Sequence, residues 1–258
     1  MQGILYKKEK IIFKNYWFSK KVYYNIENEW AIASGHDRSN DGGTVMIKGV
    51  IFDMDGTIVD SEALYFELAS EILKDHGYEL SRNVFIETSG VSRKECARIY
   101  SRCFPGLDGE RDVMDVLDTV YAQALLDYRL KLKPGFHSLM KTLKEKKIIT
   151  ALASSNIASA VENTLHAVGL TGMFDYVIHA GYVQRVKPFP DLFLKAADCM
   201  GLKPEECLVL EDSEPGIVAA TEASMKAVLI PDISPITKRM RDLSYRIMSE
   251  LSDVEMLF

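Results

Sequence analysis

The sequence predicts an α/β protein: a doubly wound sheet interrupted, between its first and second strands, by an all-helical insertion. Three observations lead there. From Met46 onward, short apolar runs alternate with amphipathic helical stretches. Residues 78–132 break that rhythm and carry no convincing strand. Polar residues gather just past the ends of successive apolar runs, where open α/β sheets place their ligand crevice. At 258 residues, the chain can hold one large domain or two modest ones.

The N-terminal stretch differs from the rest. Residues 1–24 set Lys7, Lys8, Lys10, Lys14, Lys20 and Lys21 against Glu9 alone, interleaved with aromatic side chains. A basic aromatic strip suits a membrane surface, but a segment with no selected role is the preferred reading. Ser34 through Gly43 is polar and turn-rich, as linkers are. Two glycine codons at 42–43 can spell a ribosome-binding site just upstream of Met46. The expectation is that translation starts at Met46 and that residues 1–45 are an extension.

After Met46, Ile47–Phe52 reads as an apolar strand. Leu64, Tyr65, Leu68, Ala69, Ile72 and Leu73 keep helical spacing up to Gly77. Val113, Val116, Leu117, Val120, Tyr121, Ala124, Leu125 and Tyr128 predict one amphipathic helix. Beyond Lys133-Pro134-Gly135 the alternation resumes, with strands at 148–153, 176–179, 208–210 and 227–230. Helices are expected at 136–147, 157–168, 191–200 and 215–223.

Composition narrows the function. The chain is 47% hydrophobic and 26% charged, with a net charge of −6, which argues against a nucleic-acid partner. No apolar run reaches the ~18 residues that span a bilayer, so a soluble protein without a membrane partner is expected. Cys96, Cys103, Cys199 and Cys207 form no CxxC pair and neighbour no histidine at zinc spacing. They fit a reducing cytoplasm. A monomer is expected.

Four segments carry chemistry. In Asp53-Met54-Asp55-Gly56-Thr57, alternate residues leaving a strand point the same way, so both carboxylates can share one site. One can attack phosphorus while the other, protonated, donates to the leaving oxygen. Ser154, Ser155 and Asn156 open a helix, where they either cap it or bind an anion. Arg185-Val186-Lys187-Pro188 brings cations, and Lys187 would neutralise a phosphoryl oxygen. Glu211-Asp212-Ser213 offers hard oxygen ligands of the kind Mg²⁺ prefers. Each segment alone has an ordinary explanation as a solvated loop, a cap or a surface charge. Their common order along successive strand ends does not.

Those residues resemble the haloacid dehalogenase-like superfamily, and within it the β-phosphoglucomutase-like branch. The similarity runs from residue 46 to about 245. It includes Gly49 through Glu62, Ala151 through Ser155, Val186 through Phe193 and Leu210 through Ile217. The resemblance implies a Rossmann-like core (46–61 and 134–258) with a helical cap (62–133), hinged at Ser61-Glu62 and Lys133-Pro134. It implies Asp53 as nucleophile and Asp55 as general acid and base. Thr57, Ser154, Ser155, Asn156 and Lys187 would serve as phosphate ligands, and Asp53, Asp55 (through its backbone carbonyl), Glu211 and Asp212 as the Mg²⁺ site. Gly90 and Arg93 of Gly90-Val91-Ser92-Arg93 resemble the cap segment that grips a mutase's distal phosphate. Tyr65 replaces the mutase histidine, however, Ser89 replaces its lysine, and Thr57 is more typical of phosphatases. Asp55 favours phosphate over halide, and only Lys74 offers itself for phosphonatase chemistry. The expected activity is hydrolysis of a small phosphorylated metabolite, a sugar phosphate. A β-phosphoglucomutase stands second and a non-catalytic binding protein third.

Overall fold

The structure, a computed structural model, describes residues 46–258. The expectations about residues 1–45 lie outside the described residues.

The sheet is built from β1 (Gly49–Phe52), β2 (Ile149–Ala153), β3 (Tyr176–Ile178), β4 (Cys207–Glu211), β5 (Lys226–Leu229) and β6 (Arg246–Ile247). It has six strands in the order β3-β2-β1-β4-β5-β6, and every pairing is parallel. Parallel strands covered on both faces read as continuous apolar runs, as Gly49-Val50-Ile51-Phe52 does. The period of two then deals the side chains to opposite sides. Val50, Phe52, Leu152, Leu208 and Leu210 enter one core, while Ile51, Ala151, Val209 and Leu229 enter the other. The first face is covered by α5 (Phe136–Glu145) and α6 (Ala158–Ala167). The second is covered by α7 (Asp191–Met200), α8 (Glu214–Glu222) and α9 (Lys238–Leu243).

Between β1 and β2 stand α1 (Ser61–Asp75), α2 (Arg82–Thr88), α3 (Arg93–Cys103) and α4 (Asp115–Leu126), with no strand of their own. Glu62 in the first turn of α1 and Lys74 in the last complement the helix dipole. Ser81 and Ser92 cap α2 and α3 by accepting from Val84 N and Glu95 N, each at 3.3 Å. Tyr65 of α1 stacks on Tyr121 of α4, with ring centroids 4.1 Å apart. The expected helix from Val113 is shorter than its pattern. Residues Gly109–Met114 form a wide π-helical turn, and Val116 and Tyr128 are exposed. The buried stripe is Leu117, Tyr121, Ala124 and Leu125.

The two chain crossings that join this insertion to the sheet lie side by side. Val59 and Leu132 form an antiparallel bridge, Asp60 N donates to Lys131 O at 2.9 Å, and Lys133 N donates to Ile58 O at 2.9 Å. At a separate point Ser234 Oγ of the sheet layer meets Ser89 Oγ of the insertion at 3.2 Å.

Strand and helix boundaries fall within a residue or two of expectation, since apolar periodicity marks both. α2, α3, β6 and α9 were not expected as separate elements; β6 is two exposed residues with no alternation to read. All four cysteines are free. Among the described residues, no helix is long and apolar enough to cross a membrane.

Phe52, Phe136 and Phe174 meet beneath β1 with centroids 5.5–6.1 Å apart, and Phe136 is 1% exposed. Phe136→Ala should cost about 3–5 kcal/mol in urea unfolding. A loss below about 1 kcal/mol would mean that this triangle does not anchor the sheet.

Candidate active site

β1 is the pivot of the sheet: its neighbours β2 and β4 lead away in opposite directions, leaving a crevice at its carboxyl end. In register, Phe52 lies level with Leu152 and with Leu210. The next residues of the three strands, Asp53, Ala153 and Glu211, therefore reach the crevice together. Asp53 N donates to Leu210 O at 3.0 Å and fixes the chain as it leaves the sheet.

The loop after β1 is wound tightly. Ile58 N and Val59 N both donate to Met54 O, at 3.0 and 3.1 Å, and Gly56 N donates to Val59 O at 2.9 Å. Gly56 has φ +82°, and a β-carbon there would collide with the Asp212 carboxylate. The turn thus does two jobs. It brings Asp55 up beside Asp53 and leaves room for an acid from the neighbouring strand.

Lys187 reaches this point from the loop after β3, through a cis peptide to Pro188. Its ammonium donates to Asp53 Oδ1 and to Glu211 Oε1, the latter at 2.7 Å, and lies 4.9 Å from the Phe193 ring centroid. Lys187 is 6% exposed, Asp53 8% and Glu211 0%. Glu211 Oε2 accepts from Ser213 N at 2.7 Å and Ser213 Oγ at 2.8 Å. Both oxygens of Glu211 are thereby engaged by protein donors. A β-carbon on Gly216 would strike the same carboxylate, so the first turn of α8 closes over it.

Burial pushes the Asp53 carboxyl up to about 7, with Lys187 pulling against that and Glu211 and Asp55 adding to it. Burial acts to depress Lys187, but Asp53 and Glu211 outweigh it and hold the ammonium above its ordinary range. One buried cation therefore faces two buried carboxylates, with Asp212 close by. Asp53, Glu211 and Asp212 each place an oxygen within 4.8 Å of the others. A set made of carboxylate oxygens, without histidine or cysteine, fits a hard cation such as Mg²⁺. Since Glu211 is engaged elsewhere, Asp53 and Asp212 are its better-placed donors.

The remaining expected residues take more specific places. Asn156 Nδ2 donates to Asp55 Oδ2 at 2.7 Å, so it positions the second aspartate rather than standing ready for an anion. Thr57 Oγ1 donates to Asp212 Oδ1 at 3.1 Å and supports that carboxylate. Neither Ser154 nor Ser155 caps α6, whose N-cap is Ile157. Ser154 Oγ accepts from Asn156 N at 3.1 Å, and the buried Ser155 Oγ has no hydrogen-bond partner among the described residues.

Two expectations need correction. Arg185 does not enter the crevice; it pairs with Asp191 at 2.8 Å and lies over the Phe189 ring, more than half exposed. Arg93 is turned into the insertion, where its guanidinium binds Glu110, Asp115 and Asp118. These three acids lie on the π-helical turn and α4. Gly90 has φ +75° and open space beside it, one residue from the Ser89–Ser234 contact.

One crevice residue escaped the sequence reading. Asp232 follows β5 and Pro231, and its carboxylate lies 3.0 Å from where a Gly56 β-carbon would sit. The rule that singles out Asp53 and Glu211, an acid just past an apolar strand, covers it equally.

Residues 50–230 match the haloacid dehalogenase-like hydrolase family. YhcW of Bacillus subtilis (strain 168), whose name assigns it provisionally to the phosphatases, is 32% identical over 204 residues, covering 79% of this chain and 92% of that protein. Hexitol phosphatase B of Escherichia coli (strain K12) is 29% identical over 188 residues, covering 72% of this chain and 84% of its own. Among solved structures, a HAD family hydrolase of Deinococcus radiodurans R1, with bound phosphate and sodium, superposes with a TM-score of 0.73. It is 23% identical and aligns over 82% of this chain and 94% of that one. With the family match spanning well over half its length, this chain belongs to the haloacid dehalogenase-like hydrolases.

Proposed function

We propose that this protein is a phosphatase that hydrolyses a small sugar phosphate through a phosphorylated Asp53. The observation that carries the proposal is the joint placement of Asp53 and Asp55. Asp53 is buried against the Lys187 ammonium, while Asp55, two residues on, is held separately by Asn156. The two carboxyls thus have different environments and can take different roles.

In the first step an Asp53 oxygen attacks phosphorus in line, and the bond from phosphorus to the ester oxygen breaks. Asp55, protonated, gives its proton to the departing alkoxide. In the second step Asp55, now a carboxylate, takes a proton from water as the water oxygen attacks phosphorus. The bond to Asp53 breaks, releasing inorganic phosphate and restoring the carboxylate. Throughout, Lys187 neutralises charge on the phosphoryl oxygens and favours the ionised form of Asp53 against its burial. Ser154 and the buried Ser155 Oγ, which has no partner among the described residues, offer the phosphoryl group hydroxyl donors at the end of β2. Mg²⁺ held by Asp53 and Asp212, with the Asp55 backbone carbonyl, would supply further charge neutralisation for the transferring group.

The substrate class rests on the relatives, one of which is named a hexitol phosphatase. The insertion serves in this reading as a cap, meeting the sheet layer at Ser89 and Ser234 and limiting the space above Asp53. Mutase activity is not favoured. Where a mutase has its histidine, Tyr65 is buried in a stack on Tyr121, and Ser89, in the place of the mutase lysine, donates to Glu62 Oε2 at 3.2 Å.

Asp53→Asn should abolish phosphate release while leaving the thermal midpoint nearly unchanged; more than trace turnover would refute the nucleophile. Lys187→Met should lower kcat by roughly 10²–10³-fold. It should also cost about 3–5 kcal/mol in metal-free urea unfolding, because buried carboxylates lose their counter-charge. A change under threefold in rate would remove Lys187 from the mechanism. With Mg²⁺, hexitol and hexose phosphates should yield inorganic phosphate in a release assay. Conversion of glucose 1-phosphate, primed with its bisphosphate, to glucose 6-phosphate without phosphate release would instead establish the mutase.

A further inference from the structure

We propose that Asp232 is a further carboxylate of the cation site, one that holds a cation-bound water and links that site to the hinge of the helical insertion. The inference rests on the metal reading above and concerns a residue outside the nucleophile, acid and ligand set.

Asp232 lies one strand beyond the residues that carry the chemistry. Pairing of Glu211 with Leu229, and the bond from Ile230 N to Glu211 O at 2.8 Å, set the end of β5 beside the end of β4. Pro231 then delivers Asp232 into the crevice. Its side chain is only 10% exposed. One oxygen, Oδ1, accepts from Lys133 Nζ at 2.7 Å. The other, Oδ2, is buried and has no hydrogen-bond partner among the described residues. That second oxygen lies beside Gly56, 3.0 Å from where a β-carbon would sit. The Asp212 carboxylate crowds the same space.

A buried carboxylate oxygen without a donor is costly, and native proteins seldom leave one so. None of the described residues supplies the missing donor. Cations of the Mg²⁺ type keep several waters, and each such water presents hydrogens outward. A water on a cation bound by Asp212 would point one hydrogen into the space that Asp232 Oδ2 faces. Groups that orient metal ligands from behind tune affinity strongly.

Lys133 gives this contact its second consequence. It sits on the crossing that returns the insertion to the sheet, beside Asp60 at 3.7 Å, and it feels the charge of Asp212. Asp232 therefore grips the hinge with one oxygen and addresses the cation site with the other. An insertion seated with Lys133 on Asp232 presents that carboxylate in the geometry a hydrated cation uses. By reciprocity, a bound cation stabilises the seated hinge.

The test is calorimetric titration of the full chain with Mg²⁺, substrate absent, for wild type, Asp232→Ala, Asp232→Asn and Asp60→Asn. Asn preserves shape, and with its oxygen on Lys133 it turns an amide donor toward the water, so it tests the claim even where alanine folds poorly. Both Asp232 variants should weaken Mg²⁺ binding by roughly 10–100-fold, with thermal midpoints in chelator close to wild type. Asp60→Asn removes an equal charge beside the same lysine and should change affinity by less than about threefold, the scale of a screened charge. Asp232 variants that bind Mg²⁺ within threefold of wild type would overturn the inference and leave the phosphatase reading standing. Equal losses from Asp60→Asn would reduce the effect to charge alone and overturn it too. A wild-type chain that binds no Mg²⁺ would sink the metal reading itself.

Discussion

The ammonium of Lys187 is the charge on which the crevice depends. Asp53 and Glu211 leave adjacent strands at the same level and are both withdrawn from water, an arrangement that repels itself unless a cation lies between them. Lys187 provides it from a third element, seated on the face of Phe193. Because Glu211 spends its other oxygen on Ser213 at the start of α8, the lysine is anchored to the scaffold as well as to the nucleophile. A single buried ion triad thus binds the ends of β1 and β4 to the loop after β3.

Strand order makes such a triad possible. In a sheet whose winding reverses at β1, the strands on either side send their following loops away from one another, and the gap they leave is lined by loop residues instead of helix. Apolar side chains fill both faces of β1 up to Phe52, and polarity begins at the next residue. The boundary between core and crevice is one peptide wide. Gly56 and Gly216 maintain it from above, since any side chain at either position would displace a carboxylate.

The insertion contributes a second layer of organisation. Its Arg93 pairs internally with three acids, which ties α3 to the π-helical turn and α4. It meets the sheet layer through polar contacts, Ser89 with Ser234 and Lys133 with Asp232, and through the Tyr128 ring beside His166 of α6, and its buried side chains join the same apolar cluster as Phe52 and Leu165. Within the insertion, the stack of Tyr65 on Tyr121 unites α1 with α4.

Much of this was legible in the sequence. Apolar periodicity marked every strand from β1 to β5 and each helix that packs on the sheet between them, because burial on both faces leaves continuous hydrophobic runs that local order alone encodes. Asp53, Asp55, Ser154, Lys187, Glu211 and Asp212 were identifiable because each follows, or lies in the loop beyond, such a run. Partnerships were not legible. That Asn156 serves Asp55, that Thr57 serves Asp212, and that Arg93 and Arg185 are consumed by nearby acids depend on distances between segments far apart in the chain or on rotamers chosen by packing. Asp232 belongs to the same class: its position after a strand is written locally, but its place beside Gly56 and the Asp212 carboxylate exists only once β1, β4 and β5 lie side by side. Sequence determined which chemical groups arrive at the crevice, since arrival follows from strand length and pattern. The tertiary structure decided which of them meet, since hydrogen bonding and charge pairing are set by close distances that no linear spacing contains.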